Sequence, residues 1–184
     1  SSGVLRFDGL TLEKFLPGLN IQGDFFEDDK GDIWFSSVEG IHIYNYSKDT
    51  FKIFQLKNEA DSILQNGARL IFIEHGSILW FVASGTIYSY NLNNSFLKPF
   101  ADTDGIRFTV DTHSNGDLKS IVACLWLRGP GIEYFTLNKD KGFEKFILLV
   151  ENREAGSLII KHAIFQREDL LWLFTNQGLV SYNP

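Results

Sequence analysis

The chain has 184 residues, of which 44% are hydrophobic and 15% aromatic, which is enough for one domain with a sizeable core. Its 23 acidic and 17 basic side chains give a net charge of −6, and this disfavours nucleic-acid binding by phosphate neutralisation. No apolar run reaches the roughly 18 residues of a membrane-spanning helix, so no membrane contact is predicted within this segment. The single cysteine, Cys124, cannot form an internal disulfide.

The first 16 residues are predicted to contain two β-strands. Gly3 precedes Val-Leu-Arg-Phe and is expected to begin a strand, and Leu10–Leu16 is expected to form the next one. This pattern matches the second half of the segment that follows. Residues 1–16 are therefore interpreted as the end of a preceding blade or as a closing strand.

Residues 21–56 are predicted to form one complete sheet of four strands. Short runs rich in Ile, Phe, Tyr and Trp alternate with Gly and Asp turns, and the runs are Asp24–Glu27, Ile33–Ser36, Ile41–Tyr46 and Thr50–Gln55. Four such runs joined by tight turns predict an up-and-down antiparallel sheet. A single sheet of this kind cannot cover both of its own faces, so neighbouring sheets are required.

Three further segments repeat this pattern of short strands and turns. Residues 68–100 and 106–148 are each predicted to form a blade of four strands. Residues 159–184 contain three strands, so we expect the last blade to be incomplete.

The four tryptophans of the chain recur every 46 residues, as Trp34, Trp80, Trp126 and Trp172. Each lies in an apolar run and is followed by a glycine that opens the next strand. A fixed period of about 40 to 50 residues with four strands per period is typical of a β-propeller. We therefore predict an all-β fold, a β-propeller of four-stranded antiparallel blades in four repeats, with the tryptophans in the core between blades.

Two arrangements of the ring are open. Leu10–Leu16 could supply the missing strand of the last blade and close a ring of four blades. Gly3–Asp8 then has no position of its own, because Leu179–Tyr182 already fills it, and this favours consecutive blades of a larger propeller. The chain contains no methionine, even at position 1, as expected for a processed or excised piece of a longer protein.

The residues from Asp28 to Tyr44 follow the pattern D-x-x-G-x-I-W-F-S-S-x-x-G-I-x-x-Y. This pattern resembles the two-component regulator propeller repeat, and Gly3–Gly9 is similar to the G-L-x-R-F-D-G of the same repeat. The other blades depart from the pattern. Glu74-His75-Gly76-Ser77 stands where Asp-x-x-Gly is expected, and Arg167–Asp169 lacks the glycine.

The resemblance implies an extracytoplasmic sensor region of a bacterial hybrid two-component regulator, in which successive propellers precede a β-sandwich, a membrane helix and a kinase. Such regions recognise carbohydrate fragments or other extracellular signals. The resemblance therefore implies a periplasmic or extracellular location and a role in signal transduction. The motif positions are turns and core aromatics, and they specify a structural unit rather than a ligand.

If the chain binds a ligand, the loops indicate where. Loops that enter each first strand and loops that join the second strand to the third are expected on one face of a propeller. The candidate ligand-binding residues on these loops are Arg69, Arg107, Arg128, Lys161, Asn176 and Gln177. Cationic side chains among amides suit an anionic or polyhydroxylated ligand, such as an oligosaccharide fragment.

Catalytic and metal-binding motifs are absent from the sequence. There is no G-x-S-x-G, H-E-x-x-H, P-loop or paired-histidine spacing, and the acidic runs do not complete an EF-hand pattern. His113 near Asp111 is one conceivable acid–base pair, although a solvated turn is the simpler interpretation. We predict no metal, no cofactor and no catalytic residue.

The first hypothesis is therefore a non-catalytic ligand-binding or sensing module, whose partners are a polar or anionic small molecule or neighbouring propeller domains. The alternatives are a stand-alone four-bladed protein-interaction scaffold and, less favoured, a propeller lyase or hydrolase. Arginine and amide groups around a wet cleft favour binding, whereas a compact cluster of histidine and acidic side chains favours an enzyme.

Overall fold

A computed structural model of the chain describes residues 3–56, 61–64, 67–124, 131–138, 142–149, 160–167 and 170–183. These residues form β-strands and turns, apart from one four-residue helix, α1 (Asp61–Leu64). The strands before this helix are β1 (Val4–Phe7), β2 (Leu12–Phe15), β3 (Ile21–Glu27), β4 (Ile33–Ser37), β5 (Gly40–Asn45) and β6 (Thr50–Ile53). After it come β7 (Arg69–Glu74), β8 (Ile78–Ala83), β9 (Thr86–Asn91), β10 (Phe96–Asp102), β11 (Arg107–Thr112), β12 (Leu118–Cys124), β13 (Gly131–Asn138), β14 (Gly142–Leu149), β15 (Ile160–Arg167), β16 (Leu170–Thr175) and β17 (Gly178–Tyr182).

The strands form five sheets in which spatial order follows chain order. Three sheets have four strands each, β3–β6, β7–β10 and β11–β14, whereas β15–β17 has three and β1–β2 has two. The prediction of an all-β fold with four-stranded antiparallel sheets is thus confirmed, and the sheets have the up-and-down order of propeller blades. Among the described residues β2 pairs only with β1, and no closed ring is shown. No described helix has the length and apolarity needed to cross a bilayer.

The chain divides into two compact units, residues 1–84 with 89–97, and residues 85–88 with 98–184. In the first unit, strand β7 packs against the sheet β3–β6. The backbone N–H of Leu70 donates a 2.6 Å hydrogen bond to the buried hydroxyl of Ser36, and the ring of Phe72 meets Phe26 edge-on. The first strand of the second four-stranded sheet therefore packs against the first two strands of the preceding sheet, as in stacked propeller blades.

In the second unit a hydrophobic cluster lies between the sheets β11–β14 and β15–β17. Val122 and Cys124 on β12 pack against buried aliphatic residues of β15 and β16, and Tyr134 and Phe165 flank them. A buried carboxylate, that of Glu133, is paired with Lys145 and accepts a hydrogen bond from the hydroxyl of Thr103. The carboxylate is thus compensated by a cation and a hydroxyl donor, which a buried charge requires.

Three of the indoles each form the same kind of hydrogen bond. The N–H of Trp34, Trp80 and Trp172 donates to a side-chain oxygen six residues earlier, at 2.9 Å, 2.8 Å and 2.6 Å respectively. The acceptors are Asp28, Glu74 and Gln166, which precede the second strand of each sheet. In these three sheets the repeat therefore includes a side-chain hydrogen-bond acceptor for the indole as well as the indole itself.

The fourth tryptophan, Trp126, has the same sequence spacing. Trp34 and Trp172 each pair with the third residue after the glycine that begins the next strand. In the sheet β11–β14 the third residue after Gly131 is Tyr134, and its partner is Val122. Trp126 lies outside the described residues. For this sheet the expectation of an indole at the same position in every blade therefore stays a prediction.

Candidate functional site

In two of the described sheets, the loop that enters the first strand and the loop that joins the second strand to the third lie at the same end, which we call the loop end. In the first unit, the connector that enters β3 meets the turn between β4 and β5, where the N–H of Val38 donates 3.2 Å to the carbonyl of Asn20. In the second unit, Ile160 at the start of β15 pairs with Thr175 at the end of β16. The predicted binding residues were assigned to these loops.

Arg69 is the first residue of β7, in the first unit, and is half-buried. Its guanidinium lies against the backbone of β3 at Gly23, so close that a Cβ at Gly23 would stand 3.1 Å from Arg69 Nε. Gly23 also has a φ of +85°, a conformation that favours glycine. Arg69 is thus held by the neighbouring strand.

Arg107 and Lys161 lie together in the second unit. Both side chains are exposed, and Arg107 Nη1 donates a hydrogen bond to the backbone carbonyl of Lys161. Asn176 and Gln177 form the exposed turn between β16 and β17, at the same end of the sheet as Lys161. The turn is fixed by Thr175, whose hydroxyl donates to the carbonyl of Gly178 at 2.7 Å and accepts the N–H of Gln177 at 3.1 Å.

The structure therefore brings Arg107, Lys161, Asn176 and Gln177 to one end of neighbouring sheets within the second unit. Arg69 belongs to the first unit, and Arg128 lies outside the described residues. A ligand-binding role for these six residues stays a prediction.

His42 on β5 is a functional candidate that the sequence did not single out. It is only 4% exposed, and its ring stacks on Phe35 with the ring centroids 5.1 Å apart. His42 Nε2 lies 2.8 Å from the hydroxyl oxygen of Ser37, which also accepts the N–H of Glu39 at 2.9 Å. Burial lowers the pKa of His42, and the charge of Glu39 acts in the opposite direction. The imidazole is therefore neutral near pH 7.

A signal for this arrangement was present in the sequence. A tight turn at Glu39-Gly40 places Ser37 and His42 on the same face of a hairpin, as diagonal cross-strand neighbours. The hydrogen-bonding role of His42 depends on that register.

A cavity of ≈ 500 Å³ opens above His42 at the loop end of the first unit. Its walls are the connector Leu16–Leu19, Glu39, and the residues Phe51–Ile53 of β6. His42 Nδ1 forms no hydrogen bond with any described residue. The cavity thus combines an apolar wall with one buried imidazole and two ionisable side chains.

A second cavity, of ≈ 430 Å³, separates β1–β2 from the sheet β3–β6. Its walls are mainly aromatic and include Phe15, Phe25, Phe35 and Phe51. Arg6 crosses it with its guanidinium 5.0 Å from the ring centre of Phe15, and this cation is already paired with carboxylates of the same unit. The space is apolar, and its one cation is compensated.

No protein-family model matches the chain, and no curated protein matches it. Among solved structures, PorZ, a bacterial surface component of the type-IX secretion system of Porphyromonas gingivalis, is 12% identical with a TM-score of 0.61, over 97% of this chain and 29% of PorZ. The AfRom2 CNH domain is 13% identical with a TM-score of 0.57, over 91% of this chain and 53% of that domain.

Similar solved structures also include the extracellular domains of the hybrid two-component systems BT4673 and BT3049 of B. thetaiotaomicron. The BT3049 domain is 16% identical with a TM-score of 0.46, over 98% of this chain and 31% of that one. The chain thus spans between 27% and 53% of the length of these proteins. At these identities the likeness to PorZ and to the CNH domain establishes a shared fold, and no function follows from it.

Proposed function

We propose that this chain is part of a larger β-propeller that serves as the periplasmic sensor region of a bacterial two-component signalling protein. It binds a polar or anionic small molecule, such as an oligosaccharide fragment, at the loop end and has no catalytic role. The observation that carries the proposal is the group of cationic and amide side chains, Arg107, Lys161, Asn176 and Gln177, at the loop end of the second unit. The sensor role follows from the resemblance of Asp28–Tyr44 to the two-component regulator propeller repeat.

The argument for a larger ring comes from exposed apolar surface in the first unit. Phe25 precedes Phe26 on β3 as Ile71 precedes Phe72 on β7, and Phe26 and Phe72 pair with the equivalent indoles. Ile71 is 5% exposed, whereas Phe25 is 51% exposed. Equivalent positions are thus covered in one sheet and uncovered in the other. Two more strands beside β1–β2 would complete a blade, fill the aromatic cavity and cover Phe25.

The argument for binding rests on the chemistry of the loop end. Arginine offers a planar fork of donors, and the amides of Asn176 and Gln177 offer both donors and acceptors. Such groups match the hydroxyl and carboxylate oxygens of an acidic or neutral saccharide. Arg107 is held in place by its bond to the carbonyl of Lys161, so less side-chain entropy is lost when a ligand binds.

The arrangement of the one conceivable acid–base pair supports a non-catalytic role. His113 is exposed in the turn between β11 and β12, at the end of the sheet opposite the loop end. Asp111 is held by Lys119, whose ammonium lies 3.3 Å from the carboxylate. An ion-paired aspartate and a solvated histidine lack the shared, water-excluded setting that acid–base catalysis uses.

The ring is tested by thiol labelling of Phe25→Cys in this chain and in the natural polypeptide that contains it. Cys124 provides little background, because burial raises its pKa to about 11. We expect labelling in the natural polypeptide to be slower by about 10-fold or more. Val38→Cys, on the exposed turn of the loop end, is the control and should label equally in both. Equal labelling of Phe25→Cys in both proteins would support the stand-alone scaffold instead.

Ligand binding is tested by calorimetric titration with a neutral oligosaccharide and its uronic-acid counterpart. Arg107→Ala should weaken binding of the acidic sugar by about 10-fold, because a charge-assisted hydrogen bond is lost. Lys30→Ala, on the turn between β3 and β4 at the opposite end, is the matched control. If neither sugar binds, or if Arg107→Ala has no effect on either, the proposed recognition surface is wrong.

A further inference from the structure

We propose that the cavity above His42 is a binding site for a small zwitterion with an aliphatic side chain, such as a free amino acid. The cavity lies in the first unit and shares no residue with the surface formed by Arg107 and Lys161. The proposal therefore does not depend on the sensor role or on saccharide binding. The cavity's volume of ≈ 500 Å³ lies within the range of small-molecule sites.

The first step concerns the proton on His42. Ser37 Oγ accepts the N–H of Glu39, and its own proton has no acceptor among the described residues other than His42 Nε2. We therefore assign the Ser37 hydroxyl as the donor to Nε2, which leaves the proton of the neutral ring on Nδ1. His42 lines the cavity, and Nδ1 has no partner among the described residues. The floor of the cavity thus offers one fixed N–H donor.

The second step concerns charge. Glu39 and Lys52 both line the cavity, and neither forms an ion pair with any described residue. A ligand that carries both a carboxylate and an ammonium compensates both charges at once. The carboxylate accepts from His42 Nδ1–H and from the Lys52 ammonium, and the ligand ammonium donates to Glu39. A ligand with one charge would leave one of these side chains without a counter-charge.

The third step concerns the rest of the ligand. Leu16, Phe51 and Ile53 supply the apolar wall of the cavity, and Ile53 is 50% exposed. An aliphatic side chain of the ligand would cover these residues and remove apolar surface from water. The two charged walls and the apolar wall together therefore indicate an amino acid rather than a sugar or a simple anion.

The probes are L-leucine and two derivatives that keep its side chain. Leucinamide lacks the carboxylate, and N-acetyl-L-leucine lacks the ammonium. We expect saturable binding of leucine by calorimetry or by amide chemical-shift changes, and binding of both derivatives weaker by about 10-fold or more. Glucose is included as a neutral polyol, and we expect it not to bind this cavity.

The variants assign each charge to its partner. Lys52→Gln should weaken the binding of leucine by about 5-fold or more and leave the binding of leucinamide unchanged, since leucinamide has no carboxylate for Lys52 to bind. Glu39→Gln should weaken the binding of leucine by a similar factor. It should leave the binding of N-acetyl-L-leucine unchanged, since that compound has no ammonium to donate to Glu39. Both residues are exposed in the free protein, so these variants should fold. Lys48→Gln, an exposed lysine in the turn between β5 and β6, is the control.

Three results would overturn the proposal. They are no saturation with leucine up to about 10 mM, equal affinity for leucine and its derivatives, and binding of glucose without binding of leucine. Arg107→Ala separates this site from the saccharide surface, because it should leave leucine binding unchanged. If the protein binds leucine but neither saccharide, the proposed function is contradicted and the zwitterion site stands.

Discussion

The indole N–H of Trp34 donates a 2.9 Å hydrogen bond to Asp28 Oδ2, across the turn that joins the first two strands of the sheet β3–β6. The other oxygen of the same carboxylate accepts the N–H groups of Lys30 and Asp32 at 2.9 Å and 3.0 Å. One side chain therefore fixes the turn and satisfies a buried indole. Because Trp34 is only 4% exposed, its N–H cannot turn to water instead.

The first prediction concerns this carboxylate. Asp28→Ala should lower the free energy of unfolding by about 1 to 3 kcal/mol, because the buried indole N–H of Trp34 loses its acceptor. Urea denaturation followed by tryptophan fluorescence measures the change. The same substitution in a Trp34→Phe background should cost less, since no indole N–H is then left unpaired. Equal costs in the two backgrounds would mean that the bond to the indole contributes nothing.

The strands of this fold are predictable from sequence because their signals are local. Turn glycines indicate where third strands begin, as Gly40 with φ +130° and Gly178 with φ +115° show. Strand ends are less well predicted, since β3 begins at Ile21 and not at the expected Asp24. Equal spacing is a weaker guide to position within a sheet. Trp126 keeps the period of 46 residues, but Val122 is the residue that pairs with Tyr134, the third residue after Gly131.

The sites are less predictable because they depend on long-range packing. Arg107 and Lys161 are 54 residues apart in sequence, and their contact exists only because β11 packs beside β15. The sequence pattern predicts that both residues lie at the loop end, but it does not predict the hydrogen bond between them. His42 required the register of one hairpin to connect it with Ser37, and the packing of the connector Leu16–Leu19 to place a cavity above it.

The second prediction concerns the close approach of two turns within the first unit. Gly76 has a φ of +56°, and a Cβ there would lie 2.3 Å from the carboxyl carbon of Asp29. Gly76→Ala should therefore destabilise the protein by about 1 to 3 kcal/mol through backbone strain and overlap. Thermal unfolding measures the loss. Gly76→Ala combined with Asp29→Ala should recover the part that comes from overlap, and no recovery would assign the whole effect to strain.

The third prediction concerns the hairpin β1–β2, which is marginal without a partner. Arg6 joins it to the sheet β3–β6 by hydrogen bonds to the hydroxyl of Tyr44 and to Asp49, the latter at 3.0 Å. Arg6→Ala should speed hydrogen exchange in β1 by about 10-fold and leave the exchange of β4 and β5 nearly unchanged. Mass spectrometry of residues 3–16 measures this change. Lys14→Ala on the same hairpin is the control, and equal effects of the two variants would contradict the assigned role of Arg6.

The last prediction concerns the pH dependence of stability. His42 has a folded pKa lowered by burial, whereas in the unfolded chain its pKa is about 6.5. Between these two values the unfolded chain binds more protons than the folded chain, so the stability due to His42 is complete above pH ~6.5 and is lost as the pH falls toward the folded pKa. We therefore expect the free energy of unfolding to decrease as the pH is lowered from about 7.5 to about 5.

The variant His42→Gln isolates this contribution, because every other titrating group is common to both proteins. The variant should be less stable at pH ~7.5, where it loses the stacking of the imidazole on Phe35 and the bond to Ser37. Its stability should nevertheless fall less steeply toward pH ~5, since no neutral imidazole has to be kept buried. Urea titrations at several pH values give both slopes. Parallel slopes would show that the buried ring of His42 does not resist protonation.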